Sequence, residues 1–212
     1  MKLYGYFRST AVYRVRIALG LKGLDCEPSL VHLRDGQQFE PAYDAINPQH
    51  LIPSLEDSGR VFHQSLAIIE YLDEAHPGPP LLPGDAMARA RVRALAQMVA
   101  CDIHPIDNLR VLTYLQDKFD ADAKAVEDWF NHWITLGFDA IERMLSTSAE
   151  TGAFCHGDAP GLADVCLVPQ IHNARRYDMD LSVWPTILRI ETACMEMDAF
   201  QAARPENQPD AE

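Results

Sequence analysis

No apolar run in this chain approaches the ~20 residues that a membrane-spanning helix needs. The cysteines lack a pattern as well. Cys26, Cys101, Cys155, Cys166 and Cys194 are odd in number, with no CxxC pair and no zinc-ligand spacing. They read as reduced thiols, not as a disulfide framework. Bases are scarce: 18 Lys and Arg stand against 31 Asp and Glu, a formal charge of -13. That field repels nucleic acid and anionic membranes, so neither is expected as a partner. No basic–apolar–small leader pattern follows Met1, and the chain is expected to be soluble and cytoplasmic. Repeats and low-complexity blocks are missing too. The histidines form no ligand spacing with acids or cysteines, so no metal is expected.

What is present is a core-forming composition, 48% apolar over 212 residues, enough for one large domain or two small ones. The first 80 residues alternate in type. Lys2 to Phe7 reads as a strand, Ala11 to Lys22 as a helix stopped by Gly23, and Glu27 to Leu33 as a second strand. That is a βαβ unit with parallel strands. A short link around Phe39 to Ala45 follows. Leu51 to Glu56 and Arg60 to His63 then flank Asp57-Ser58-Gly59, a hairpin signal, and a helix runs from Ser65 to about His76. Pro77 to Pro80 and Pro83-Gly84 form a stiff connector. Beyond it strand signals vanish. Ala86 to Phe119 is a long helical stretch perturbed at His104-Pro105, and Lys124 to Leu145, Leu162 to Arg175 and Pro185 to Phe200 read as further helices. Residues from Arg204 onward read as a mobile polar tail. The expected fold class is α/β plus all-α: a small α/β first domain, residues 1–80, and an all-helical second domain, residues 86–212.

Three places carry chemistry. Arg8-Ser9-Thr10 sits where the first strand ends and the first helix begins. A cation is unfavourable at the positive end of a helix unless an anion is shared there. The plainer alternative is a Ser9 or Thr10 N-cap beside a solvated Arg8. Pro53 lies inside a strand-like run, which fits an edge strand or a cis bond; a cis Ile52-Pro53 bond would free the Ile52 backbone for an extended ligand. Gln64-Ser65 opens the next helix, with Ser65 as its N-cap, where backbone donors hold a carboxylate. Together these suit a short anionic peptide with a thiol at the first site, its backbone at the second and a carboxylate at the third.

The runs Tyr6-Phe7-Arg8-Ser9-Thr10, Arg14 to Leu19, Asn47-Pro48-Gln49-His50-Leu51-Ile52-Pro53, Gln64 to Leu72, Cys101 to Asn108 and Gly157 to Gln170 resemble the zeta-class glutathione transferases over nearly the whole chain. Within the class the pattern is most similar to the bacterial maleylpyruvate isomerases, with maleylacetoacetate isomerases beside them. The resemblance implies a thioredoxin-like first domain, an all-helical second domain, glutathione as cofactor, a homodimer, and cis–trans isomerisation of maleylpyruvate or maleylacetoacetate by thiolate addition, bond rotation and elimination. A general transferase or dehalogenase acting on small carboxylic acids is one alternative, and a non-catalytic interaction module another. The resemblance places the thiol at Ser9 with Thr10 beside it, the cysteinyl backbone on Ile52 ahead of Pro53, and the γ-glutamyl end on Gln64 and Ser65. Gln49 and His104 fall near the glycine side, and Asn108 near the cleft. A dicarboxylate substrate calls for cations, and Arg8, Arg110 and Arg176 are the candidates; Arg14, Arg16 and Arg175 are assigned to helix faces and salt bridges. Ala11 stands where the class carries cysteine, and Gly161 where it carries a Ser or Thr cap.

Overall fold

The computed structural model describes residues 1–212 as two compact units, Met1–Leu81 with Met195–Glu212, and Leu82–Cys194. The segment from Met195, assigned by sequence to the helical domain, groups with the first unit.

In the first unit, strand β1 (Lys2–Gly5) leads into helix α1 (Thr10–Lys22), and β2 (Glu27–Leu30) returns parallel to β1. A short helix α2 (Pro41–Asp44) occupies the link. Strands β3 (Ser54–Asp57) and β4 (Arg60–His63) form an antiparallel hairpin with Leu55 opposite Phe62, and the sheet order is β2-β1-β3-β4. Ser58 (φ 51°) and Gly59 (φ 75°) both lie at positive φ, the tight turn that matches strand twist. Helix α3 (Ser65–Ala75) follows.

The strands are shorter than their apolar runs. β1 stops at Gly5 because the chain turns: the Ser9 amide donates to the Tyr6 carbonyl at 3.0 Å. β3 starts at Ser54 because the Leu51 carbonyl is taken by the Tyr43 hydroxyl and the Asn47 amide, both at 2.7 Å, and Pro53 has no N–H. Ile52-Pro53 is cis. Gly23 ends α1 at φ 65°, with its amide and that of Leu24 closing on the Gly20 and Leu19 carbonyls. Helix α1 is buried almost all round, packed against α3 and against α9 (Asp198–Ala202). Lys22 reaches from its last turn to Asp73 of α3 at 3.1 Å, an ion pair out of solvent, and the same carboxylate accepts the Leu81 amide.

The second unit is helical: α4 (Ala86–Gln97), a π-helical turn Met98–Ile103, α5 (Leu109–Phe119), α6 (Ala123–Thr147), α7 (Leu162–Arg175) and α8 (Pro185–Met195), whose last residue falls at the division. The expected stretch from Ala86 to Phe119 therefore breaks after Ile103, where Pro105 brings no N–H, and restarts at Asn108, whose side chain caps α5. The expected helix from Pro185 to Phe200 is likewise two, α8 and α9. Helix α6 supplies the core stripe, with Val126, Phe130, Ile134, Phe138, Ile141 and Leu145 all buried. Glu142 accepts the Thr186 and Ile187 amides at 3.0 and 2.9 Å, placing an anion at the start of α8. Trp184 is core and donates to Asp139 at 2.7 Å; Trp129 and Trp133 are half-buried and meet edge to face. No helix is long and apolar enough to cross a membrane.

Gly137 of α6 has no side chain because Ile103 fills the space: a Cβ there would lie 2.2 Å from Ile103 Cδ1. Gly137→Ala is therefore expected to destabilise the protein by about 1–3 kcal/mol, the usual cost of overpacking, although alanine favours helix. Denaturant unfolding measures it.

Candidate active site

Ser9 is the N-cap of α1, and its Oγ accepts from the Val12 amide at 3.3 Å. The plain capping role is thus real, and it leaves the hydroxyl proton for another acceptor. Thr10 and Ala11 are the first two helical residues, so their amides have no intrahelical carbonyl to pair with. Arg8 is half-buried, its guanidinium 5.0 Å from the Phe7 ring. The turn therefore offers a hydroxyl donor, free amides and a cation, all suited to an anionic sulfur.

The remaining first-unit candidates group on α3 and the loop before β3. Gln64 Nε2 donates to Gln49 Oε1 at 2.7 Å, so the two glutamines are joined. Gln64 holds φ 68° and ψ 119°, a left-handed backbone that costs a non-glycine residue about 1–3 kcal/mol and that proteins tend to keep at ligand sites. Ser65 was expected as the N-cap of this helix. It is instead the first helical residue, and Gln64 occupies the cap without a side-chain bond to the helix. The amides that open α3 are therefore left for an outside acceptor. Within the chain, nothing pairs with the Ile52 N–H or C=O. These donors and acceptors fit the backbone and carboxylate of a tripeptide such as glutathione.

Two arginines assigned to helix faces do something else. Arg14 is 1% exposed, and its Nη1 donates to Ser65 Oγ at 3.4 Å, tying α1 to the start of α3. Arg16 donates to the Phe7 and Ala203 carbonyls, each at 3.0 Å. The signal that could have found them is the absence of a polar face: α1 carries no acid, and its other residues are nearly all apolar. Arg175 does pair as expected, with Glu191.

In the second unit, His104 follows the π-helical turn, Asn108 caps α5 by accepting the Arg110 amide at 3.1 Å, and Arg110 is exposed in the first turn of α5. Arg176 closes α7, and its Nη1 donates to Asn173 Oδ1 at 3.3 Å. Tyr177 stacks on Phe130 at 3.7 Å. Burial pushes its hydroxyl pKa up, with Arg176 opposing the rise and Asp107 adding to it.

Asp107 was not singled out by sequence. It is 4% exposed, and its carboxyl oxygens accept no hydrogen bond from the chain. Burial alone pushes its pKa to about 8. Asp164 is the contrast. It is equally buried, but it accepts from Cys155 and Gly161 at 2.8 and 2.9 Å, and these bonds pull back the rise that burial causes. Gly161 thus serves as the N-cap of α7 with Asp164 three residues on, as expected.

The residues 3–80 match the model of the glutathione S-transferase N-terminal domain. Maleylpyruvate isomerase of a Ralstonia species is 49% identical over 211 residues, all of both chains. The holo structure of a maleylpyruvate isomerase, described as a bacterial zeta-class glutathione transferase, superimposes with TM-score 0.98 at 48% identity over all of both chains. The chain belongs to the zeta-class glutathione transferases. A second solved member, maleylacetoacetate isomerase of Methylobacterium extorquens AM1 with malonate and glutathione bound, matches with TM-score 0.98 at 41% identity, again over all of both chains.

Asp107 is expected to make the stability of this zeta-class protein depend on pH. Its native carboxyl binds a proton more tightly than the unfolded one, near 3.9. Its contribution to stability is therefore complete in acid and is lost as pH rises from about 4 to about 8. Asp107→Asn is expected to remove that decline, and unfolding midpoints measured across this range test it.

Proposed function

We propose that this protein is a glutathione-dependent cis–trans isomerase that converts maleylpyruvate to fumarylpyruvate, or maleylacetoacetate to fumarylacetoacetate, in aromatic-compound degradation. One observation carries the reading: an isomerase of this chemistry is 49% identical from end to end. The donor-rich turn at Ser9 supports it. Malonate in a relative that also holds glutathione supports a small dicarboxylate substrate.

Bound glutathione supplies a thiolate able to add to the conjugated cis double bond, allow rotation and depart from the trans product. Ser9 donates its hydroxyl proton to that sulfur, and the Thr10 position adds the positive potential of the helix start. Ile52, ahead of Pro53, pairs with the cysteinyl backbone. Gln64 and Ser65 hold the γ-glutamyl end, Gln49 and His104 are assigned to the glycine side, and Asn108 is assigned to the cleft. Arg8, Arg110 and Arg176 hold the substrate carboxylates and offset the negative charge that builds on its oxygen.

The same reading makes the protein a cytoplasmic homodimer.

Ser9→Ala is expected to raise the pKa of bound glutathione by about one unit and to lower turnover at neutral pH; thiolate absorbance titration reads the shift. Arg176→Ala is expected to lower kcat/KM more than about tenfold, roughly 1.5–3 kcal/mol for a lost charged hydrogen bond. Ultraviolet assays with maleylpyruvate and maleylacetoacetate side by side decide the preferred substrate, and absence of activity on both defeats the proposal.

A further inference from the structure

The segment expected to be a mobile tail is instead fastened to the turn that carries Ser9. Asp210 Oδ2 accepts the Phe7 amide at 2.9 Å. Arg16 Nη2 donates to the Phe7 carbonyl, and its Nε donates to the Ala203 carbonyl. Glu212 reaches His32 at 2.9 Å, and His32 meets the Tyr6 ring edge to face at 4.9 Å. Residues 6–8 lie between the end of the β1 ladder and the N-cap of α1, while Ser9 joins α1 through its carbonyl and its Oγ, which accept from the Tyr13 and Val12 amides. Within residues 6–9 the Ser9 amide donates to the Tyr6 carbonyl. Both polar groups of Phe7 are thus held from elsewhere, one by Asp210 and the other by Arg16.

Apart from the buried Pro205, the segment is not core. Gln208, Pro209 and Asp210 form one wall of a cavity of about 230 Å³ whose other walls include Leu3, Val12 and Leu30. Asp210 itself is half-buried. Burial pulls the Arg16 pKa down to about 10, with Asp210 and Glu206 opposing, so the guanidinium stays charged at neutral pH.

We propose that Asp210 and Arg16 are positioning residues that pin the Phe7–Ser9 turn and thereby set the place of the Ser9 hydroxyl. The inference rests on the reading of Ser9 as the thiol-binding residue. It adds that the thiol site is completed by a segment about 200 positions further along the chain. Asp210 does not touch the ligand; it acts through the Phe7 amide.

Two readouts test this in the full-length protein. The first is amide hydrogen exchange of Phe7 and Ser9 without glutathione. The second is thiolate titration of bound glutathione, with Ser9→Ala as the reference. Asp210→Ala is expected to speed exchange at both amides by about tenfold or more and to move the thiol pKa in the same direction as Ser9→Ala. Asp210→Asn keeps an acceptor oxygen and is expected to restore both. Unchanged Ser9 exchange in Asp210→Ala overturns the proposal. So does an unmoved thiol pKa in Asp210→Ala where Ser9→Ala shifts it. If Ser9→Ala itself leaves the thiol unmoved, the reading of Ser9 fails, and exchange at Phe7 and Ser9 alone decides whether Asp210 holds the turn.

Discussion

Three cations on one buried helix hold the first unit together. Arg14, Arg16 and Lys22 lie on α1, which has almost no face in water, so each must find a partner inside the protein. Arg14 goes to Ser65, Arg16 to the carbonyls of Phe7 and Ala203, and Lys22 to Asp73. These partners sit on different stretches of chain, and most of them adjoin the thiol turn or the helix that receives the γ-glutamyl end in the proposed function. A buried charge deprived of its partner costs several kcal/mol, so each contact is specified strongly even if its net contribution to stability is small. The same helix thus presents its free amino end to an anion and uses its charged side chains to place the groups around it.

The helical unit uses acids where the first unit uses bases. Glu142 and Asp164 cover amides at the starts of α8 and α7, where negative charge is favoured by the peptide dipoles. Asp107 is as buried as Asp164 but has no donors. Its neighbours in sequence are Ile106, whose carbonyl accepts from Trp129, and Asn108, the cap of α5. A protonated side chain there resembles a neutral amide in shape and polarity, and the fold tolerates it on those terms.

Much of this architecture is legible from residue order. The βαβ and ββα halves, the Gly23 stop, the hairpin at Asp57-Ser58-Gly59 and the Gly161–Asp164 start of α7 follow from local rules, since each depends on residues within one turn of one another. The misjudged features depend on distant partners. Nothing near Arg14 or Arg16 in the chain names Ser65 or Ala203 as a target. The polar composition after Arg204 hides a carboxylate that meets Phe7. Ser65 reads as a cap because serine favours that role, whereas the observed cap, Gln64, adopts a backbone that local propensity disfavours. The break after Ile103 falls where the sequence shows a perturbation at His104-Pro105, whereas the helix from Pro185 was overrun at Met195 because apolar periodicity continues past the point where the backbone breaks.

Burial has one more effect, on sulfur. It holds the Cys26 thiol up at about 11 and pushes Cys155 and Cys194 well above the usual thiol range, while Ala11 leaves the thiol turn with no sulfur of its own. In the proposed reaction the reactive sulfur is therefore a visitor. A visitor that becomes oxidised or alkylated leaves with its damage, and the polypeptide it leaves behind needs no repair.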